Sequence, residues 1–338
     1  MLKRRFIFLK RRKKIGKRTL RKFLTYSILT IVVVALCFVA CIFGSVDISA
    51  MTQQDKFILY GIRVPRVLMC LVSGACLAVC GTSYQAVFRN PLSDPYILGV
   101  SSGASLGASI AIIVGLDAFI LGVPCAAFLM ALLTVYAIMK LSQIGNRMHV
   151  TTLLLAGISI NFLFSAIISI IMFIDRNDMH KIYFWTMGSL SGVRYSDVIV
   201  VACFAVLGIF VLGIYAKRMN ALLLGDMSAQ SIGINVEKTK KTILIVATLM
   251  TAAVVSYCGV IGFIGLVVPH IVRLIVGQDN RKILPLSVFG GMIFMLSADI
   301  ISRVVIAPNE LPIGSITSLI GAPFFIYLLY NAKKNLHF

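Results

Sequence analysis

The chain has 338 residues, of which 59% are hydrophobic and only 13% charged, and its mean hydropathy is +0.97. Soluble domains carry about 45–50% apolar and about 25% charged residues, so this composition excludes an ordinary soluble protein. The net charge of +20 would suggest nucleic-acid binding in a soluble protein. Beside apolar spans, however, basic residues mark the cytoplasmic side of a membrane. We therefore expect an all-α integral membrane protein with no nucleic-acid partner.

The N-terminus is a basic arm followed by an apolar segment. Residues 1–22 contain 12 of the 32 Lys and Arg residues and precede the apolar segment 24–44. A signal peptide begins in the same way, but this segment lacks a clear cleavage site and is followed by further apolar segments. We expect an uncleaved first helix, with the arm lying near anionic lipid.

The hydropathy pattern predicts about ten transmembrane helices in one polytopic domain, 23–332, with a short tail at 333–338. The predicted spans are 24–44, 63–88, 103–115, 119–139, 150–174, 197–216, 242–260, 264–276, 283–306 and 313–330. If the N- and C-termini are both cytoplasmic, 25 of the 32 Lys and Arg residues lie inside and seven outside, as the positive-inside rule requires.

Two of these spans, near 103–115 and 264–276, are short and are entered through Gly- and Pro-rich sequence. Broken helices survive in a membrane only where protein or an aqueous cavity covers their backbone, so these spans suggest a pathway. Gly99 and Gly103 belong to a four-residue glycine repeat that suits close helix packing. The sequence Gly259 to Pro269 predicts a bend between a full helix and a half helix.

Several kinds of chemistry are missing from the sequence. It has no G-x-x-x-x-G-K-[ST] phosphate loop, so ATP-driven work would need a separate subunit. Asp299 is the one acid plainly inside a span. Ion-coupled carriers usually place several ionisable groups at membrane depth, so this scarcity argues against an ion-coupled carrier. No group of His, Cys and carboxylate residues has metal-ligand spacing, and we expect no tightly bound metal. Hydropathy alone leaves a channel, a secondary carrier and a pump subunit open.

The longest internal loop, 217–241, has the pattern of a short helix. Asp226 is the predicted N-cap of a helix over 227–232, and Gly233 is its predicted stop. Because so short a helix is not stable alone in water, it must dock on its own protein or on a partner.

Several long motifs occur in an order that is similar to the FecCD family, the permeases of binding-protein-dependent ABC importers for iron-siderophore complexes, haem and cobalamin. The resemblance covers about 24–332, although the basic arm has no counterpart in these motifs. Its principal strings are 63–66 (RVPR), 85–99 (QAVFRNPLSDPYILG), 224–233 (LGDMSAQSIG), 262–273 (GFIGLVVPHIVR) and 310–314 (ELPIG).

This resemblance implies a type II ABC importer permease, which is a transport subunit and not an enzyme. It implies a second permease, identical or related, two cytoplasmic ATPase subunits that carry the ATP and Mg, and an external substrate-binding protein. The chain itself would bind no cofactor and would lie in the plasma membrane of a prokaryote. The expected cargo is an iron(III)-siderophore or similar large chelate, with haem or cobalamin as the alternative. A stand-alone channel or ion-coupled carrier is the alternative of another class.

The candidate site residues form three groups. The resemblance implies ATPase coupling by the short helix at about 226–233, through Gly225, Asp226, Ser228, Ala229, Ile232 and Gly233. It also implies docking of the binding protein on Arg63, Arg66 and Arg303, since guanidinium groups grip carboxylates with two hydrogen bonds. Without the family, these arginines would be expected to extend into the headgroup layer. Pathway or gate candidates are Arg89, Asn90, Pro91, Gly99, Gly103, Pro269 and His270. For these seven, turn chemistry, helix packing and a polar helix cap remain the alternatives.

Overall fold

The computed structural model describes residues 24–44, 52–144 and 147–335, so the predicted basic arm lies outside the described residues. The helices are α1 (Leu24–Ile42), α2 (Gln53–Phe57), α3 (Val64–Phe88), α4 (Val100–Ile113), α5 (Gly122–Leu141), α6 (Val150–Ile174), α7 (Met179–Thr186), α8 (Tyr195–Leu223), α9 (Asp226–Ser231), α10 (Val236–Cys258), α11 (Ile264–Val276), α12 (Asn280–Val304) and α13 (Ile313–Asn335). A π-helical turn, Ile58–Arg63, joins α2 to α3. Two short 3-10 helices, Pro95–Leu98 and Leu116–Ala118, and a small antiparallel ladder of β1 (Gln143–Ile144) and β2 (Arg147–Met148) complete the elements.

The predicted all-α membrane fold is confirmed. Within the described ranges, seven helices are long and apolar enough to cross a membrane. Three more apolar stretches are shorter: α4, α11 and the part Ile313–Tyr327 of α13. Together they correspond to the ten predicted spans. The two spans expected to be short are α4 and α11, with 14 and 13 residues.

Helix α3 is the centre of the bundle. It packs against α8, α10, α11 and α12, and most of its length is buried. Small residues allow this, because a Cβ atom at Gly74 would collide with the carbonyl of Gly291, and one at Gly81 with the carbonyl of Gly265. In lipid, helices gain little by burying apolar surface against each other, so close packing of their backbones is what holds them together. By contrast, α1 and α6 are peripheral and largely exposed.

The predicted bend between α10 and α11 is present. Gly259 has φ +67°, and Phe263, the N-cap of α11, has φ +67°. Inside α11, Pro269 has no N–H to donate to the carbonyl of Gly265. The side-chain amide of Gln85 on α3 donates to that carbonyl instead, at 3.4 Å. The broken helix is therefore held by protein, as its position in a membrane requires.

Some boundaries differ from the prediction. Helix α4 begins at Val100 because Gly99, in the left-handed region at φ +70°, reverses the chain immediately before it. Helix α13 continues to Asn335 and so includes part of the predicted tail. The prediction that Asp226 is an N-cap is wrong: Gly225 is the N-cap of α9, and it leaves the Asp226 carboxylate available for other partners.

Candidate functional site

The short helix α9 is attached to the bundle by the carboxylate of Asp226. One oxygen accepts a hydrogen bond from the Arg89 guanidinium, and the other lies 2.8 Å from Nζ of Lys240 on α10. The side chain of Lys240 is only 3% exposed, whereas those of Asp226 and Arg89 are 40% and 37% exposed. A buried ammonium needs a partner, so this carboxylate fixes the base of α9 to two helices of the core.

Arg89 reaches α9 because of the turn that ends α3. It is the C-cap residue of α3 and has a left-handed backbone, with φ +52°. The side chain of Asn90 accepts a hydrogen bond from the amide of Leu92 at 2.9 Å, which stabilises the turn, and Pro91 lies exposed in it. Asn90 and Pro91 thus form the turn after α3. Arg89, by contrast, contacts Asp226, one of the predicted coupling residues.

The rest of α9 has an inward and an outward face. Ala229 is fully buried against the bundle, whereas Met227 is 85% exposed and Ile232 and Ser228 are also exposed. Gly225 and Gly233, which flank the helix, both have positive φ, at +108° and +82°. The outward face of α9 therefore exposes two large apolar side chains, those of Met227 and Ile232.

A cavity of about 710 Å³ lies between α4, α6 and the bend before α11. Its polar lining residues are Ser101, Ser102, Ser105, Asn161, Ser165, Ser169, Thr186 and Asp94. The Ser102 hydroxyl contacts both the Asn161 side-chain oxygen, at 2.5 Å, and the Gly99 carbonyl, at 3.2 Å. The wall therefore offers many hydroxyl groups and one carboxyl group.

Asp94 is the acidic residue of this wall. It precedes the 3-10 helix Pro95–Leu98, and its carboxylate accepts a hydrogen bond from the Tyr96 amide at 2.8 Å. Burial raises the pKa of Asp94 to about 6, and the hydrogen bond from Tyr96 only partly opposes this shift. Its charge therefore changes close to neutral pH.

The other pathway candidates lie around this cavity without lining it. Gly103 packs against Thr134 and Met130 of α5, which is the packing role that the glycine repeat suggested. Pro269 interrupts α11 on the side of Gln85, and the same Gln85 accepts a hydrogen bond from Arg273 at 3.1 Å.

His270 lies between α11 and α13. Its ring centroid is 6.1 Å from that of Phe325 and 6.5 Å from that of Phe324. Its Nδ1 atom is buried and has no hydrogen-bond partner among the described residues. The predicted polar residue after Pro269 is thus part of an aromatic contact with the last helix.

The three arginines predicted to dock the binding protein are buried, each 5% exposed or less. Arg66 lies 2.7 Å from the Asp299 carboxylate and 2.6 Å from that of Glu310. Arg303 makes a charge contact of 2.8 Å with the other oxygen of Asp299, although their geometry is not that of an aligned hydrogen bond. Asp299 and Arg303 lie four residues apart, on one face of α12, so this contact is one between neighbouring helical turns.

Arg63 and Arg303 also hold the C-terminus of α1. Arg63 donates to the carbonyls of Cys41 and Ile42 at 2.9 and 2.5 Å, and Arg303 donates to those of Ala40 and Phe43 at 2.9 and 3.0 Å. Cations at a helix C-terminus satisfy carbonyls that lack helical partners and oppose the helix dipole. These guanidinium groups are thus occupied within the chain.

Sequence reasoning missed three residues: Lys240, Gln85 and Asp94. Lys240 was counted only as a cytoplasmic charge, although its spacing from Val236 and Ile243 places it on the buried face of α10. Within the described residues, no cluster of three or more His, Cys, Asp or Glu side chains could hold a metal ion.

Comparison with known proteins gives a consistent result. The FecCD transport family matches residues 24–331. The chain is 42% identical over 281 residues to the cobalamin import system permease protein BtuC of Halobacterium salinarum, covering 83% of this chain and 75% of that protein. It is 39% identical over 283 residues to the hemin transport system permease protein HmuU of Yersinia pestis, covering 81% and 83%.

A solved structure supports the same assignment. A metal-chelate type ABC transporter in an inward-facing conformation matches with a TM-score of 0.81 and 29% identity, over 90% of this chain and 97% of that chain. The chain belongs to the FecCD transport family, a family of multi-pass ABC transporter permease subunits.

Proposed function

We propose that this chain is the permease of an ATP-driven importer that moves an iron(III)-siderophore or a similar large chelate. The observation that carries this proposal is the attachment of α9. A short helix that exposes Met227 and Ile232 is joined through the Asp226 carboxylate to the end of α3 and to a buried lysine on α10. This arrangement suits a coupling helix that transmits movement of the ATPase to the transmembrane helices.

The packing of α3 and α10 indicates which helices movement of α9 would reach. Helix α3, which ends at Arg89, contacts α11 and α12 along its length. Helix α10, which holds Lys240, ends at Cys258, and the bend after it contributes Val260 and Phe263 to the cavity wall. Movement of α9 would therefore reach the cavity through two helices. Gly225 and Gly233, at either end of α9, are suited to be hinges.

The cavity wall favours a cargo that forms hydrogen bonds. Its volume of about 710 Å³ lies within the range of about 300–1,000 Å³ for small-molecule sites. Its described lining has no Lys or Arg, so it offers no cation to the propionate groups of haem. Serine hydroxyls can exchange hydrogen bonds with amide- or hydroxyl-rich chelates without holding them firmly. This favours a siderophore, or cobalamin, over haem.

The proposed assembly has a second permease, identical or related, and two ATPase subunits that bind ATP and Mg on the cytoplasmic side. It lies in the plasma membrane of a prokaryote, with both ends of this chain cytoplasmic. The 25 to 7 distribution of Lys and Arg over the alternating spans supports that orientation. Met227 and Ile232 would then face the ATPase.

For the external substrate-binding protein, we propose docking at the end of the molecule that holds Arg63, Arg66 and Arg303. Because these arginines are buried, they would shape that surface and hold α1 against it, without gripping the partner directly. Glu310, whose side chain is 28% exposed, is the more accessible member of the network.

Co-purification in a gentle detergent, read by native mass spectrometry, tests the assembly. We expect two permeases with two ATPase subunits, and loss of the ATPase from the Met227→Glu variant. Lys217→Glu, an exposed change on α8 at the same end of the bundle, is the matched control and should retain the ATPase. A folded Met227→Glu protein that keeps its ATPase would show that the coupling surface lies elsewhere. Uptake of labelled ferric siderophore, haem and cobalamin then separates the three cargoes.

A further inference from the structure

A second cavity, of about 540 Å³, lies between α5 and α10 and shares no lining residue with the first. Its mouth holds Lys140 at the end of α5 and Lys238 and Lys241 at the start of α10. Its walls are mainly apolar, with Leu132, Tyr136, Ile245 and Leu249 among the lining side chains. The proposed coupling and transport path uses none of these residues.

The two walls of this cleft repeat one pattern. On α5, Tyr136 and Leu132 lie four and eight residues from Lys140; on α10, Ile245 and Leu249 lie four and eight residues from Lys241. At a rise of 1.5 Å per residue, the apolar side chains lie about 6 and 12 Å deeper than the lysines. Lys140 is near the C-terminus of α5 and Lys241 is near the N-terminus of α10, and both line the same cleft. Both patterns therefore run in the same direction, from the lysines into the cleft. The cleft therefore has a cationic mouth and an apolar interior.

The charge at the mouth favours an anion. Three exposed lysines line it, against a single carboxylate, that of Glu237. Lys238 and Lys241 are one turn apart on α10, whose N-terminus carries the positive end of the helix dipole. Basic pockets between transmembrane helices bind phospholipid headgroups, and each Lys near an anionic membrane surface contributes about 1 kcal/mol.

The interior lies at membrane depth. Helix α5 is an apolar membrane-length helix, and Leu133 and Tyr136 beside the cleft are exposed on it. Ile245, on the opposite wall, is also exposed. In a helix of this kind, exposed apolar side chains face lipid tails, so the cleft opens to the bilayer and can receive an acyl chain.

We propose that this cleft binds an anionic phospholipid, with the phosphate held by Lys140, Lys238 and Lys241 and an acyl chain along the apolar walls. A soluble anion would pair only with the lysines at the mouth, and a neutral lipid would contact only the apolar interior. In the proposed orientation of the chain, this lipid would belong to the inner leaflet. The binding itself does not depend on that orientation. Because Lys240 on the same turn of α10 holds Asp226, the lipid would also brace the helix terminus to which α9 is attached.

The test uses the full-length chain in its purified complex, reconstituted in nanodiscs of phosphatidylcholine with or without dioleoyl phosphatidylglycerol. We expect native mass spectrometry to show retained phosphatidylglycerol. The Lys140→Gln/Lys238→Gln/Lys241→Gln variant should lower the apparent affinity for it by about five-fold for each lysine. The matched control, Lys217→Gln/Arg218→Gln/Lys282→Gln, removes three exposed cations from the same end outside the cleft and should change little.

Leu132→Trp provides a second test, because it fills the interior while the lysines remain. It should also reduce retention of phosphatidylglycerol. Unchanged retention in both cleft variants would overturn the proposal, as would an equal loss in the control. Equal stabilisation by inorganic phosphate in phosphatidylcholine nanodiscs would show that the site takes a soluble anion only. Failure of lipid binding would leave the uptake assays untouched, so the two proposals can fail separately.

Discussion

The Asp226→Asn substitution tests whether α9 is anchored by a buried charge. Breaking a buried ion pair by removing one partner costs about 3–5 kcal/mol, because the remaining charge is uncompensated. Here the Lys240 side chain is 3% exposed, but that of Asp226 is 40% exposed, so water reaches one side of the pair. Discounting for that screening gives an expected loss of about 2 kcal/mol in the free energy of unfolding. The partly exposed Arg89 should add little to this loss.

Thermal unfolding of the reconstituted protein measures this loss. At about 2.1 cal/mol/K of unfolding entropy per residue, each kcal/mol lowers the Tm of a 338-residue chain by about 1.4 °C, so we expect a fall of about 3 °C. Adding Lys240→Met removes the unpaired ammonium and should restore most of the lost stability. Arg281→Gln, which breaks the exposed Arg281–Asp279 pair at the same end of the molecule, should change Tm little. If Asp226→Asn matches this control, or if Lys240→Met gives no rescue, the reasoning from burial is refuted.

Three further predictions concern helix packing, the cavity and the charge network around Asp299. Gly81→Ala should greatly reduce the yield of folded protein in size-exclusion chromatography, because the new Cβ would collide with the backbone of α11. Burial raises the pKa of Asp94 to about 6 in the folded protein, against an ordinary 3.8. Ionisation of Asp94 therefore lowers the free energy of unfolding progressively as the pH rises from about 4 to 6. Tm of the wild type should therefore fall over that range more than Tm of Asp94→Asn. Arg66→Gln should lower the free energy of unfolding by about 3–5 kcal/mol, since it leaves the fully buried Asp299 with one cation fewer.

Each of these predictions has a control. Gly213→Ala, in open space on α8, should be neutral or slightly stabilising, and an equal loss of yield in both glycine variants would contradict the packing argument. Parallel pH curves for wild type and Asp94→Asn would show that Asp94 does not titrate near pH 6. For the network around Asp299, the control is Lys181→Gln, which removes two exposed ion pairs, with Asp117 and Asp178, and should have little effect. An equally small effect of Arg66→Gln would mean that its ion pairs do not stabilise the fold.

The membrane architecture could be predicted from the amino-acid sequence. Hydropathy located the ten apolar helices found in the described part of the chain, because each must contribute a long enough apolar stretch from its own residues. The bend before α11 and the short helix α9 were also predictable, since Gly259, Pro269 and Gly233 act on the local backbone. The family motifs extended this to a class of transporter, which the match over 24–331 confirmed.

Which charged groups meet depends on the folded structure. The sequence treated Asp226 as a cap and Lys240 as a cytoplasmic charge, but the pairing of Asp226 with both Lys240 and Arg89 depends on how α3, α9 and α10 pack. The three arginines of the predicted docking group looked like surface groups because they lie near the ends of spans. The folded helices bury all three, and Arg66 and Arg303 lie beside Asp299. The partners in these contacts are up to 263 residues apart along the chain. Hydropathy and local spacing carry no information about such distances, because a buried ion pair forms only where the folded helices exclude water.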